Sequence, residues 1–163
     1  MTIKYELKYF DYWHLSSGLS SGAKLDSAVI KDENALPYAP GKTIKGLVRE
    51  MVEMFGDVAF LHEAYFSNAT LAKETQTQII GNQLQEHLYD VIASTQIDGE
   101  GIAVDNSLRE IEVTVPLSLY GEIRDVSEAR LADVQKGLKL IKRMGLNRNR
   151  GLGRCAFKVE EVK

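Results

Sequence analysis

The order in which two hydrophobic periodicities follow one another limits the folds open to this chain. Thr2 to Trp13 alternates apolar and polar residues, which is the period of a half-buried β-strand. Residues 43–55 place their apolar side chains at helical spacing instead and predict a first helix. Thr43 is the expected N-cap of that helix and Gly56 its expected stop. A strand followed by an amphipathic helix is the start of a mixed α and β domain.

The rest of the chain continues this alternation. The sequence predicts a short strand in Ala64 to Leu71, a second helix in Gln76 to Ala93 and a long strand or hairpin pair in Leu108 to Arg124. A third helix is predicted from Ser127 to Gly145, followed by a final strand from Arg154 to Val162. This order favours the α+β class, as a ferredoxin-like or RRM-like split βαβ sheet with an inserted helix and with the helices packed on one face.

Length and composition fit one globular domain. The chain has 163 residues, of which 44% are hydrophobic and 26% charged, so we expect a single domain over 1–163. No apolar run approaches the length of a membrane span. The single cysteine, Cys155, cannot form an internal disulfide and is expected to be a small buried residue of the last strand. These features predict a cytoplasmic protein with no membrane partner.

Charge is distributed very unevenly along the chain. The segment from Val134 to Val159 contains no acidic residue and has a formal charge of +8. Because the whole chain carries −3, the remainder carries −11. A basic face on an acidic body predicts an anionic partner, although a solvated helix face followed by a basic loop would give the same count. The basic residues of the segment are Lys136, Lys139, Lys142, Arg143, Arg148, Arg150, Arg154 and Lys158.

The stretch from Leu25 to Arg49 joins an acidic segment to a basic helix start. Asp26 lies at its beginning, and a Pro40-Gly41 turn precedes the helix. A turn of this kind offers backbone N–H groups beside cations, which suits a phosphate. Asp26 is a candidate for chemistry on that phosphate, or it only caps a turn. The cations of this helix start are Lys42, Lys45 and Arg49, which would bind phosphate or be ordinary exposed helix residues.

A second basic stretch, GLNRNRGLGR, mixes glycines with arginines. Glycines let a backbone approach a ligand closely, and arginines bind phosphate through two parallel hydrogen bonds. The stretch therefore predicts the second half of a phosphate-binding surface. Its candidate binding residues are Gly145, Arg148, Arg150, Gly151, Gly153 and Arg154.

These two stretches resemble the signatures of the RAMP superfamily, the repeat-associated RNA-binding proteins of CRISPR systems. The first matches an aspartate, an apolar-Lys-Asp segment, a Pro-aromatic-x-Pro-Gly turn and a Lys-Gly-x-x-Arg helix. The second matches the C-terminal glycine-rich loop, and AYFSNA with Ile97 to Tyr120 resembles the middle region. Within the superfamily, the chain is most similar to the backbone subunit that binds the guide RNA in type III effector complexes.

The resemblance implies an antiviral role in an effector complex. The partners would be CRISPR RNA, target single-stranded RNA and other effector subunits, among them copies of the chain itself. Lys42, Lys45 and Arg49 would meet phosphates, and the glycine-rich loop would hold the guide backbone. Asp26 would serve metal-dependent cleavage of the paired target RNA, with Mg²⁺ as the one cofactor suggested.

Two other functions remain open from the sequence. In a RAMP-type endoribonuclease that processes CRISPR RNA, His14 would act as general acid or base and Lys42 would stabilise developing charge. In a ferredoxin-like domain unrelated to CRISPR, the basic stretches would bind an anionic small molecule or serve assembly alone.

Overall fold

The computed structural model describes residues 1–16 and 27–163, apart from the side chain of Glu161. A four-stranded sheet and a separate two-stranded ribbon are formed by β1 (Ile3–Tyr9), β2 (Tyr65–Phe66), β3 (Tyr89–Ser94), β4 (Arg109–Thr114), β5 (Ser118–Arg124) and β6 (Cys155–Val162). The helices are α1 (Gly41–Glu53), α2 (Lys73–Gly81) and α3 (Leu131–Leu140). No helix in this described part of the chain is long and apolar enough to cross a membrane.

The four-stranded sheet has the topology of a split βαβ fold. Its strand order is β2-β5-β1-β6, and the neighbouring strands are antiparallel. In the centre, Leu7 lies opposite Leu119 on one side and Phe157 on the other. The sheet is built from two strand-helix-strand units, β1-α1-β2 and β5-α3-β6. Strand β5 lies between the two strands of the first unit, and β1 lies between the two strands of the second. The predicted ferredoxin-like α+β class is thereby confirmed.

The core lies between one face of this sheet and the helices α1 and α3. The alternation predicted for β1 is observed, since Ile3, Tyr5, Leu7 and Tyr9 are at most 2% exposed while Lys4 and Lys8 are on the other face. The two helices approach closely at Gly137, where an added Cβ would lie 3.0 Å from the side chain of Val52. The second face of the sheet carries charged and aromatic side chains and is open. The buried helix residues include Ile44, Val48, Val52, Val134 and Leu138.

Helix α1 begins three residues earlier than predicted. Pro40 occupies the N-cap position, so the prediction of Thr43 as N-cap is wrong. The first N–H of the helix, that of Gly41, donates to Oδ1 of Asn68 at 2.9 Å. A side chain 27 residues away therefore caps the helix, which no local signal could reveal. The helix ends at Glu53, three residues before the expected stop.

Helix α3 is shorter than predicted at both ends. A 3₁₀ turn occupies Glu128–Arg130 after Ser127, and the α-helix ends at Leu140 rather than at Gly145. The chain leaves the helix because the residues that follow pair with the start of β6. The N–H of Met144 donates to the carbonyl of Gly153 at 2.9 Å. Lys142 and Arg143 consequently lie in this paired extended segment and not in a last helical turn.

The predicted helix from Gln76 to Ala93 is wrong in its second half. After α2 and a 3₁₀ turn, residues 89–94 form β3, which pairs with β4 so that Ile92 lies opposite Ile111. Gln83, with φ of 54°, turns the chain out of the helical path. The predicted strand from Leu108 to Arg124 is likewise divided, because β4 pairs with β3 while β5 joins the main sheet. We call β3, β4 and their connection the β3–β4 ribbon.

The last strand contains the single cysteine in the predicted environment. Cys155 is the first residue of β6 and is 2% exposed. Burial raises the pKa of its thiol to about 12, against the opposing effect of nearby Lys142. The thiol therefore stays protonated at neutral pH, as expected of a structural cysteine.

Candidate nucleic-acid interface

The glycine-rich loop, residues 145–154, is fixed to the segment that follows β1. The N–H of Leu146 donates to the carbonyl of His14 at 2.8 Å, and that of Gly153 donates to the carbonyl of Tyr12 at 2.8 Å. Gly145 (φ 110°) and Gly153 (φ 73°) have left-handed backbone angles, and a Cβ on either would overlap a neighbouring carbonyl oxygen. These two glycines thus serve the close approach of one backbone to another.

The tip of the loop is open. Gly151 also has a left-handed backbone, with φ of 96°, but an added Cβ would meet no atom within 4 Å. The carbonyl of Asn147 accepts from the N–H of Arg150 at 2.8 Å, which makes the tip a tight turn. Arg150 is exposed, whereas Arg148 is half-buried. The tip therefore presents a glycine backbone beside guanidinium groups, the combination predicted to bind phosphate.

Replacing Gly153 by alanine is expected to lower the free energy of unfolding by roughly 2–4 kcal/mol. The left-handed angle alone costs about 1–2 kcal/mol, and the Cβ would displace the strand pairing at Met144. Gly151→Ala is the matched control, because Gly151 also has a left-handed backbone angle but an added Cβ there would overlap no other atom. Urea denaturation of both variants measures the difference. Equal destabilisation would show that the close approach at Gly153 contributes little.

A broad cleft of about 910 Å³ separates the glycine-rich loop from the β3–β4 ribbon. We call it the loop–ribbon cleft. Its cations are Arg150 from the loop and Arg109 from the first position of β4, and Asp105 adds one carboxylate. Ser27 forms part of the wall, while its chain neighbour Asp26 lies outside the described residues. The sequence did not point to Arg109, because the strand that positions it was not foreseen as part of a ribbon.

Ser27 is fixed in the cleft wall by several contacts with β4. Its carbonyl accepts from the N–H of Glu112 at 3.0 Å, and the residue forms a parallel bridge with Ile111. Glu112 in turn binds the ammonium of Lys31 at 2.9 Å. Ser27, the residue immediately after Asp26, therefore has a defined position in the wall of the loop–ribbon cleft.

A second, smaller cleft of about 260 Å³ runs along the outer side of α1. We call it the α1 cleft. It brings together the predicted Lys42, Lys45 and Arg49 around Gly46, where an added Cβ would meet nothing within 4 Å. Val58, Leu61 and His62 form the opposite wall.

The three cations of the α1 cleft are not equally available. The ammonium of Lys45 donates to the carbonyl of Ala64 at 2.8 Å and so binds the protein's own backbone. Arg49 forms an exposed ion pair with Glu53 at 3.1 Å, which is weak in water. Lys42 is exposed. The Gly41 N–H, predicted to be open to a phosphate, is instead bonded to Asn68. Lys42 and Arg49 are therefore the stronger candidates of the three.

The two predicted basic stretches lie on different sides of α1. On the other side of this helix, Lys142, Arg143 and Arg148 face Glu50 across a third cleft of about 250 Å³. The structure therefore does not join the cations of the α1 cleft and the glycine-rich loop in one pocket. Instead, α1 lines both the α1 cleft and the third cleft, and cations lie on both sides of the helix.

Arg154 and His14 have structural partners. The Arg154 guanidinium forms an ion pair with Asp11 at 3.2 Å, so part of its charge is neutralised. His14 is fully buried, with Nε2 3.0 Å from Oγ of Ser27 and Nδ1 against the carbonyl of Glu112. The imidazole therefore links the segment after β1 to Ser27 and to β4. Because it is fully buried, it cannot contact an RNA strand in this conformation.

Within the described part of the chain, no group of three His, Cys, Asp or Glu side chains could hold a metal ion. Mg²⁺ in nucleic-acid enzymes often rests on one or two carboxylates and on substrate phosphates. Asp105, which lines the loop–ribbon cleft, is the described carboxylate that shares the cleft with Ser27.

The fold recurs in solved structures of type III-B complexes. A chain in the cryo-EM structure of the type III-B Cmr-beta bound to cognate target RNA superposes with a TM-score of 0.76 and 9% identity, covering 98% of this chain and 97% of that one. A chain of the apo state of Cmr-beta gives a TM-score of 0.72 and 10% identity, with the same coverage. This chain shares their fold. The likeness agrees with the RAMP resemblance seen in the sequence.

Sequence comparison alone gives no relative. No protein-family model matches the chain, and no curated protein matches it. The likeness to the Cmr-beta chains is therefore one of architecture, at an identity of only 9% to 10%.

Proposed function

We propose that this chain is a CRISPR-RNA-binding subunit of a type III-like effector complex. The observation that carries the proposal is the fold shared, over nearly its whole length, with chains of the type III-B Cmr-beta structures, one of them bound to cognate target RNA. The partners are CRISPR RNA, the target RNA paired to it and the other subunits of the complex. Phosphate contacts carry no sequence information, so the specificity comes from the guide.

The surface chemistry supports RNA as the ligand. The acid-free segment of charge +8 includes the glycine-rich loop, whose tip exposes a backbone with no side chain at Gly151 next to Arg150. The loop–ribbon cleft adds Arg109 from the opposite wall. A strand of RNA lying in this cleft would meet cations from both sides.

Titration of the purified protein, and of its assembly, with fluorescent single-stranded RNA tests this proposal. We expect anisotropy to rise with an affinity that falls steeply as salt increases, because bound phosphates release counterions. Mono- and dinucleotides serve as the control and should bind far more weakly. Salt-independent or absent RNA binding would overturn the proposal and would leave the ferredoxin-like binding or assembly domain.

We further propose that the subunit cleaves the target RNA. Asp26 would supply the carboxylate, and Mg²⁺ would make water a stronger nucleophile when bound there. The support is the sequence resemblance together with the fixed position of Ser27 in the wall of the loop–ribbon cleft. The processing of CRISPR RNA by His14 has less support, because that imidazole is buried and bonded through both nitrogens.

A further inference from the structure

Phe10 presents an exposed aromatic ring close to two cations. The residue follows directly after β1, and its side chain is 42% exposed. The ammonium of Lys8 lies 5.6 Å from the ring centroid, and the Arg154 guanidinium lies 5.4 Å from it. Both distances are within the range of cation–π attraction. The ring therefore lies near two positive groups while part of its surface remains in water.

The neighbourhood of Phe10 leaves room for a flat ligand. Alternation along β1 places Phe10 with Lys8 on the open face of the sheet, opposite the helices. The cross-strand neighbours of Lys8 are Ser118 and Ala156, both small. A single exposed aromatic residue is ordinary on protein surfaces. An exposed aromatic ring close to cations, with the small residues Ser118 and Ala156 nearby on the sheet, is a surface on which a nucleobase can stack.

The ring is tied to the glycine-rich loop through the backbone. The N–H of Phe10 donates to the carbonyl of Arg154 at 2.9 Å, and the N–H of Gly153 donates to the carbonyl of Tyr12 at 2.8 Å. The ion pair of Arg154 with Asp11 keeps the guanidinium beside the ring. That carboxylate also lowers the positive charge at this point, so stacking rather than phosphate binding is the main interaction available here.

We propose that Phe10 is a stacking platform for one base of the single-stranded RNA that the glycine-rich loop holds by its backbone. This inference rests on the proposed function and adds an interaction of a different kind to it. Base–aromatic stacking tolerates any sequence because every base has a π-face. It therefore suits a subunit that must accept any guide. Lys8 and Arg154 would lie beside the phosphates that flank the stacked base.

Phe10→Leu tests the proposal, since leucine keeps an apolar side chain but removes the aromatic face. We expect RNA affinity to fall by about 5- to 150-fold, which corresponds to the roughly 1–3 kcal/mol lost per stacked base. The salt dependence of binding should stay unchanged, because no ionic contact is removed. Phe10→Trp should bind at least as tightly as the native protein. A 2-aminopurine placed in the RNA should be quenched by the native protein and by the tryptophan variant only.

Tyr65→Ala is the matched control. Tyr65 is 50% exposed and packs under Arg124 at 4.3 Å, but it lies on the short edge strand β2, away from the loop. Its loss should leave RNA affinity unchanged. Native affinity in Phe10→Leu, with tight RNA binding by the native protein, would overturn the stacking site alone. Absence of RNA binding by the native protein would overturn the proposed function and this inference together.

Discussion

Charge reversal of the glycine-rich loop, in the double variant Arg148→Glu and Arg150→Glu, is expected to weaken RNA binding by about 10- to 100-fold. On single strands each phosphate contact contributes about 0.7 to the slope of log K against log salt, so the loss of two contacts should flatten it by roughly 1.4. Reversal also places negative charge beside the RNA backbone. Anisotropy titrations at several salt concentrations measure both quantities.

The control variant reverses the charge of two cations outside the glycine-rich loop, so its net charge equals that of the loop variant. Lys73→Glu with Arg124→Glu changes exposed residues on α2 and on β5. Its salt slope should stay close to that of the native protein. If the loop variant keeps the native slope, or if the control flattens it as much, RNA binding depends on overall charge and not on the glycine-rich loop. Arg143 donates to the carbonyl of Arg148 at 3.1 Å, so the turn retains this contact in the loop variant.

Features with a strong local signal were predictable from the sequence. The apolar positions of β1 repeat every second residue and face a single core, so the strand and its buried side are read directly. The apolar stripe of α1 is also found in the structure, with Ile44, Val48 and Val52 buried. The glycine-rich loop was predicted from its glycines mixed with arginines, and in the structure Gly145, Gly151 and Gly153 have left-handed backbone angles.

The β3–β4 ribbon could not be predicted in the same way. Ile80, Leu84, Leu88 and Val91 have helical spacing, yet only the first of them lies in an α-helix. Strand β3 is exposed or half-buried along its whole length, so it has no buried face to impose a period of two on its sequence. Pairing with β4, about twenty residues later, decides its structure. Such long-range pairing leaves little trace in a local pattern.

Contacts between distant residues also decided which candidate site residues are available. Lys45 looked like a phosphate ligand, but its ammonium binds the carbonyl of Ala64. Gly41 looked like an open helix start, but Asn68 caps it. His14 was the alternative candidate for a general acid or base, and it is fully buried against β4. In each case the partner lies far along the chain, so the accessibility of the residue could not be predicted from the sequence around it.

Asp26→Ala is expected to abolish Mg²⁺-dependent cleavage of target RNA while changing RNA affinity by less than about twofold. A carboxylate is the ligand type that Mg²⁺ prefers, and no group of three metal-binding side chains is found in residues 1–16 and 27–163 that could replace it. The cations that we propose to bind phosphate lie on α1, on β4 and in the glycine-rich loop, so binding should persist. The measurement compares cleavage of a complementary RNA by the assembled complex with and without Mg²⁺.

Two further variants separate catalysis from a turn-capping role of Asp26. Asp26→Asn keeps a side chain that can cap a turn but removes the charge, so it should fold normally and still fail to cleave. Glu33→Ala removes an exposed carboxylate from the same segment and should cleave like the native protein. Mg²⁺-dependent cleavage that survives in Asp26→Asn would exclude Asp26 as the catalytic residue. Cleavage of CRISPR RNA without any metal would instead favour the endoribonuclease alternative, and it would require His14 to leave its buried position against Glu112.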